Sequence, residues 1–203
     1  MKVFMPKSFP GYASMGDVMP DDTQTTTKTV FEQCFDIVIG EEGGFDNNPA
    51  DPGNWTGGKV NVGHLNGTKY GISAAAYPDL YIQALTLENA KDIYHKSYWA
   101  VNLCDTMPPS IAMLVFDAAV NNGNRRAIWW LQGAVGAFQD GEIGPKTIAA
   151  LNRKGAQAVA IEFMAQRTNF MASLPTWPTF GLGWARRLAA LPYHSLNITK
   201  GTT

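Results

Sequence analysis

Cysteine is scarce in this chain of 203 residues: Cys34 and Cys104 are the only two. Two cysteines do not make a disulfide framework, and apolar and aromatic neighbours on both sides predict buried free thiols. The three histidines, His64, His95 and His194, lie far apart without metal-ligand spacing, so no metal and no other cofactor is expected. No stretch reaches the ~18 apolar residues of a membrane span. The opening stretch, MKVFMPKSFPGYASMGDVMP, lacks the unbroken apolar core of ~7–15 residues that a signal peptide needs. No internal repeat is present. Acid is nearly missing from the end of the chain, where residues 146–203 hold 7 Lys/Arg and 1 Asp/Glu.

What is present points to an ordinary globular protein. Hydrophobic residues make up 45% and charged residues 16%, too apolar a balance for disorder. The net charge of −1 offers no global field for nucleic acid. Residues 1–145 carry 9 Lys/Arg against 16 Asp/Glu, so the basic end (+6) follows an acidic body (−7). A basic end can favour a polyanionic surface such as a phosphate-bearing envelope, or it is a set of scattered surface charges.

Residues 1–28 have no period and read as a tail or loosely docked arm. Thr29 with Glu32 forms a capping-box pattern. Phe31, Cys34, Phe35 and Val38 follow at helical spacing, which predicts a first helix from Val30 to Glu41 or Glu42 with Gly43 as its cap. Residues 46–71 are rich in Asn, Asp, Gly and Pro. Short β-compatible pieces there, Lys59–Val62 and Lys69–Ile72, predict loops and a small irregular hairpin. Helical patterns resume after Thr86, with Leu87, Ala90, Ile93, Tyr94 and Tyr98 on one face. Pro108-Pro109-Ser110 starts a helix with Ile111, Leu114, Val115, Ala118 and Ala119 inward and Asn122-Gly123 as its stop. Further helices are expected over Arg125–Phe138, Pro145–Leu151, Ala156–Ser173 and around Gly183–Arg187. Trp129 and Trp130 diverge by ~100° on their helix, so one of them faces outward.

The stretch IGEEGGFDNNPADPG, residues 39–53, sets Glu41 and Glu42 at the expected C-terminus of the first helix. The negative helix end, the like charge next door and any desolvation would each raise the pKa of Glu42. A carboxyl held partly protonated serves as a general acid; two solvated glutamates before a glycine cap are the plainer alternative. Asp51 comes nine residues later in a loop stiffened by Pro49 and Pro52, where it can face Glu42 across a groove or merely make a turn. Paired carboxyls are the machinery of glycoside hydrolysis: a separation of about 6.5–9.5 Å admits a water and gives inversion, and about 5–5.5 Å gives retention. Thr68 on the hairpin can position water and Tyr70 can stack on a sugar, or both are simply strand formers.

These motifs resemble glycoside hydrolase family 108, the lysozyme-like N-acetylmuramidases of phages and bacteria. The resemblance rests on Glu42-Gly43-Gly44-Phe45, Asp51-Pro52-Gly53 and Thr68-Lys69-Tyr70-Gly71-Ile72-Ser73. It continues through Ile93-Tyr94, Tyr98-Trp99, Val115–Gly123, Trp130-Leu131-Gln132, Asp140–Thr147 and Gly183–Arg187, and so spans about residues 30–190. It implies a mainly α, lysozyme-like (α+β) fold: a helical lobe, a small β-hairpin and loop lobe, and a catalytic cleft between them. It implies a muramidase domain over 29–195, whose helical C-terminal lobe covers about 111–195, with a leader at 1–28 and a tail at 196–203. The Asp140–Thr147 stretch carries the family's peptidoglycan-binding label and reads here as a turn feeding a helix.

By the same resemblance Glu42 is the catalytic acid. Asp51 and Thr68 hold the water by analogy with related phage lysozymes that share the Glu–Asp–Thr order. Tyr70, Trp55, Phe45 and Asn121 are the candidate substrate contacts, although Asp117 and Asn121, four apart on one helix face, read first as a buried polar brace. The chain departs from the family at Asn54–Gly67, an insert of roughly ten residues with Trp55 and His64 that can roof the cleft or add a sugar contact. The implied activity is hydrolysis of the β-1,4 bond after N-acetylmuramic acid, with inversion. The alternatives are a lytic transglycosylase, which closes a 1,6-anhydro ring, and a wall-binding module without activity. The expected partner is the peptidoglycan glycan strand, met by a monomer with no nucleic acid and no stable membrane insertion. A phage endolysin held in the host cytoplasm and released to the wall through a holin-type lesion fits the missing signal peptide; a secreted or injected effector is the other route.

Overall fold

The computed structural model describes residues 28–40 and 44–199. Glu41, Glu42 and Gly43, residues 1–27 of the expected leader and residues 200–203 of the expected tail lie outside the described residues. The described chain falls into two units: Lys28–Cys34 with everything from His95 onward, and Phe35–Tyr94. Helix α1 (Val30–Ile39) contributes residues to both. The Thr29–Glu32 capping box forms: Glu32 N donates to Thr29 Oγ1 at 3.2 Å, and Thr29 N donates to Glu32 Oε2 at 2.9 Å. The far end differs from expectation. The helix stops at Ile39, and Gly40, at φ 69°, donates its N–H to Asp36 O at 2.9 Å. Gly40 is the first residue able to turn left-handed without a Cβ penalty, so the chain leaves the helix there.

The unit from His95 onward is helical. A π-helical turn, His95–Ala100, precedes α3 (Pro109–Asn122), α4 (Asn124–Val135), α5 (Pro145–Lys154), α6 (Ala156–Ala172) and α7 (Trp177–Asn197). Helix α3 is the core. The sequence pattern predicted one inward stripe, but every residue from Ile111 to Ala119 is buried, Met113, Phe116 and Asp117 included. A helix apolar on all sides is stable only when surrounded, and α4, α6 and α7 all pack on it. Phe31, Trp99 and Phe116 meet edge to face at its side, with ring centroids 5.4–5.9 Å apart. Helix α4 ends at Val135, three residues before the expected Phe138, because Gly136 adopts the left-handed conformation. Lys154 Nζ donates to Ala134 O at 2.6 Å and satisfies one of the last carbonyls of α4. Trp130 is buried and Trp129 is 43% exposed, the divergence expected from their spacing. Cys34 and Cys104 are buried free thiols. Among the described residues no helix is long and apolar enough to cross a membrane.

The unit Phe35–Tyr94 is mostly loop. Strands β1 (Thr68–Lys69) and β2 (Ile72–Ser73) pair antiparallel with Thr68 opposite Ser73 and Lys69 opposite Ile72. Lys59–Val62, expected to be β-compatible, is a turn: Val62 N bonds Lys59 O at 3.1 Å and Asn61 sits at φ 62°. Both valines there are largely exposed, so they gain nothing from pairing. The turn tips a long excursion closed at its base by an antiparallel bridge between Trp55 and Leu65. Helix α2 (Leu87–Tyr94) buries Ala90 and Tyr94 of the expected face and leaves Leu87 exposed. Leu87 is the first residue after the Thr86 cap, one turn ahead of the packed face.

Candidate active site

Asp46 and Thr68 exchange backbone bonds of 2.8 Å in both directions, which fixes the loop after Phe45 beside β1. Asn54, fully buried, joins this bridge to the Asp51 turn. Its Oδ1 accepts the Thr68 hydroxyl at 2.7 Å, and its Nδ2 donates to Asn48 O at 3.0 Å and to Asp46 Oδ2 at 3.4 Å. Its backbone oxygen accepts the N–H groups of Asn66 and Gly67 at 2.9 and 3.0 Å. Asn48 O also takes the Asp51 N–H at 3.1 Å. One asparagine thus links the turn that carries Asp51 to the strand that carries Thr68. Asp51 itself caps the short 3₁₀ turn Pro52–Asn54, its Oδ1 accepting Gly53 N–H at 2.7 Å. That bond fixes the carboxylate's rotamer.

Tyr70 and Gly71, at φ 49° and 74°, form the two-residue turn of the hairpin. A left-handed turn pair suits the strands' twist, but a tyrosine in it costs about 1–2 kcal/mol. Its neighbours hold it. Tyr94 Oη donates to Tyr70 O at 3.0 Å, Lys69 Nζ lies 5.4 Å from the Tyr70 ring centroid, and the same Nζ reaches Gln83 O and Leu85 O at 3.1 and 2.7 Å. Phe45 is 38% exposed, and its ring lies where a Cβ on Gly67 would stand, 2.5 Å from that position. Trp55 is half-buried and tethered by Nε1 to Pro49 O at 2.9 Å. Glu42 lies outside the described residues. Of the other expected site residues, Asp51, Trp55, Thr68, Tyr70 and Phe45 belong to the Phe35–Tyr94 unit, and Asn121 to the helical one.

Asn121 is 5% exposed on α3 and donates Nδ2 to Asp117 O at 2.8 Å. The Asp117 carboxylate is the larger feature. It is fully buried and meets two arginines: Arg167 Nη1 at 2.6 Å from Oδ2, and Arg187 through Nε at 2.9 Å and Nη2, both to Oδ1. Burial alone would push the carboxyl up; Arg187 and then Arg167 more than offset it and hold its pKa below the ordinary value. Arg167 also donates Nε to Asn122 Oδ1 at 3.0 Å. The triad ties α3 to α6 and α7. The brace expected from Asp117 and Asn121 is therefore built mainly from arginines that the α3 pattern alone did not name. A signal existed, because Arg167 continues the buried α6 series Val159, Phe163, Arg167, Met171 at four-residue steps. Asn54, by contrast, left no local trace, since its partner Thr68 is fourteen residues away.

The Asp140–Thr147 stretch is a turn pinned to α4. Gln132 Nε2 donates to Asp140 Oδ1 at 2.6 Å, and Gln132 Oε1 accepts Gly141 N–H at 2.8 Å. The Glu142 N–H, then Gln132, hold the Asp140 carboxyl below its ordinary pKa. Pro145 opens α5 directly after. Among the described residues no group of three or more His, Cys, Asp or Glu side chains could hold a metal ion.

The model of the glycosyl hydrolase 108 family matches residues 35–123, a segment that holds the Asn54–Thr68 network and α3. Among solved structures, SagA of Brucella abortus is similar to this chain at 31% identity and a TM-score of 0.69, over 85% of this chain and 97% of SagA. No curated protein matches. The chain belongs to glycosyl hydrolase family 108: it is a glycosidase, its substrate a glycan.

Proposed function

We propose that this protein hydrolyses the β-1,4 bond between N-acetylmuramic acid and N-acetylglucosamine in peptidoglycan, with inversion at the anomeric carbon. Its family and its likeness to SagA support a peptidoglycan-degrading glycosidase. The finer reading rests on the Asn54 link between Asp51 and Thr68. Thr68 gives its hydroxyl proton to Asn54, so its oxygen meets a water as an acceptor. A water donating one proton to Thr68 and the other to Asp51 turns a lone pair outward. Attack by that oxygen forms the new bond at C1 while the C1–O4 bond breaks. The water's proton passes to Asp51, and Glu42 protonates the departing O4.

Glu42 enters through the family resemblance and its adjacent like charge, Glu41. Helix α1 ends at Ile39, two or three residues before the expected end. Tyr70, Trp55 and Phe45 are proposed to contact the sugar rings, and a phage endolysin acting as a monomer on the wall after release from the host cytoplasm is the proposed setting. Glu42→Gln tests the assignment. It should lose turbidity clearing of purified sacculi by at least about 10²-fold with little change in melting temperature. Product mass separates hydrolysis, which adds a water, from an anhydro-forming transglycosylase. Wild-type clearing by the variant would remove Glu42 from the mechanism.

A further inference from the structure

The hairpin turn next to Thr68 holds a side chain in a backbone conformation that it disfavours. Tyr70 adopts φ 49°, in the left-handed region, and shares the turn with Gly71 at φ 74°. Glycine reaches that region freely and asparagine more easily than most, whereas the Cβ of a tyrosine crowds the backbone there. Backbone strain of this kind persists only where the surroundings over-determine it, and it clusters at functional sites. What a tyrosine adds at this position is its ring, since a glycine would make the turn more easily. Tyr94, the last residue of α2, supplies the hold. It is buried. Its ring meets Phe35 of α1 edge to face, with centroids 5.5 Å apart and planes at 79°, which fixes the phenol. Its hydroxyl donates to the backbone oxygen of Tyr70 at 3.0 Å. Lys69 Nζ, 5.4 Å from the Tyr70 ring centroid, is itself fixed by Gln83 O and Leu85 O. All of these residues belong to the Phe35–Tyr94 unit.

We propose that Tyr94 is a positioning residue for substrate binding: its hydroxyl holds the hairpin turn in the left-handed conformation that presents the Tyr70 ring to a sugar of the glycan. The inference rests on the reading of Tyr70 as a sugar contact and adds the group that keeps the contact in place. Without the hydroxyl, Tyr70 relaxes toward the backbone conformations that L side chains prefer, and its ring turns with it. Only the fraction still left-handed binds, so the apparent affinity falls by that fraction. Thr68 takes its own hold from Asp46 and Asn54, so its oxygen keeps its place when the Tyr94 hydroxyl is gone. Tyr94 therefore acts on KM and leaves kcat alone.

The test is a double-variant cycle in the full chain: Tyr94→Phe, Tyr70→Gly and the two together. Melting temperature is read for each, with KM and kcat for release of reducing ends from purified sacculi. Tyr94→Phe keeps the ring on Phe35 and removes one hydrogen bond, so the melting temperature should fall by about 2–4 °C. Its KM should rise about fivefold, with kcat within about twofold of wild type. Tyr70→Gly loses the ring and should raise KM about tenfold. The double variant should match Tyr70→Gly in both KM and melting temperature, because a glycine needs no hold and has no ring to present. An equal drop in melting temperature in both backgrounds with KM unmoved makes the hydroxyl an ordinary core hydrogen bond and overturns the inference. So does a fall in kcat with KM held, or a wild-type KM in Tyr70→Gly. If Tyr94→Phe is unfolded at the assay temperature, the double variant decides: folded with the KM of Tyr70→Gly it supports the clamp, and unfolded it overturns it. Release of reducing ends by wild-type protein is read separately. No release refutes the hydrolase reading alone, and half-saturation of binding to sacculi then replaces KM in the same cycle, with the same pattern required.

Discussion

Removing the Asp117 carboxylate should be among the most damaging single changes in this protein. The carboxylate is wholly buried between Arg167, 1% exposed, and Arg187, 12% exposed. Asp117→Ala removes the carboxylate that Arg167 and Arg187 share, and Arg167 has no route to water. Breaking a buried pair from one side costs about 3–5 kcal/mol. At about 2–4 °C per kcal/mol for a domain of this size, the melting temperature should fall by about 6–20 °C. The sign of the pH dependence follows from the depressed carboxyl. Its folded pKa lies below its unfolded value of about 3.9, so the triad's contribution is complete above that value and is lost as pH falls through the folded pKa. Urea melts of wild type should therefore weaken as pH drops below about 4, and the variant should lack that share of the slope. Asp117→Leu combined with Arg167→Met should cost less than the sum of the two single changes, because the second removes the stranded charge. A loss under about 1 kcal/mol for Asp117→Ala, or full additivity in the double variant, would refute the triad as the clamp of the helical unit.

Three further outcomes follow from the geometry. Asn54→Ala strands the Thr68 hydroxyl and should cost about 1–3 kcal/mol in urea melts; at a temperature where the variant stays folded, kcat on sacculi should fall while KM holds, and an unchanged kcat would deny Asn54 its positioning role. Gly67→Ala forces a Cβ against the Phe45 ring and Asp46 O at φ 79°, which should cost about 1–3 kcal/mol and show as a lower melting temperature; no change would mean the loop yields freely. Burial raises the Cys34 thiol to about 12 and Cys104 well above its ordinary value, so neither should react with a thiol reagent at pH 8 until denaturant is added, and prompt native-state labelling would contradict their burial.

The helices were legible because their signals are local. Thr29 with Glu32, Pro109, Pro145 and the Asn122-Gly123 stop are chemistry within four residues of the feature they control, and each appears where expected. Errors arose where the deciding partner was distant or where two local signals competed. Gly40 stops α1 at Ile39, short of the expected end. Lys59–Val62 has strand-forming residues but no strand to pair with, and β propensity measures fit to a neighbour more than any preference of the backbone. The α3 stripe widened to the whole circumference because the sequence shows how apolar a helix is but not how many elements surround it.

The candidate site shows the same division. Asp51 and Thr68 could be singled out from residue type and order, but the group that connects them could not. Asn54 acts through one side chain and one backbone oxygen on partners as far as fourteen residues away, and in the sequence it is only another loop asparagine. The buried charges were more readable than that. An aspartate in the apolar run of α3 and an arginine on the buried series of α6 each demand an opposite charge, since neither survives alone in a dry interior. Two such demands of opposite sign in one helical unit predict their own pairing. Charge-demand of this kind is long-range information carried by single positions, and it is what lets Asp117 and Arg167 be matched across fifty residues where hydrogen-bonding amides cannot be.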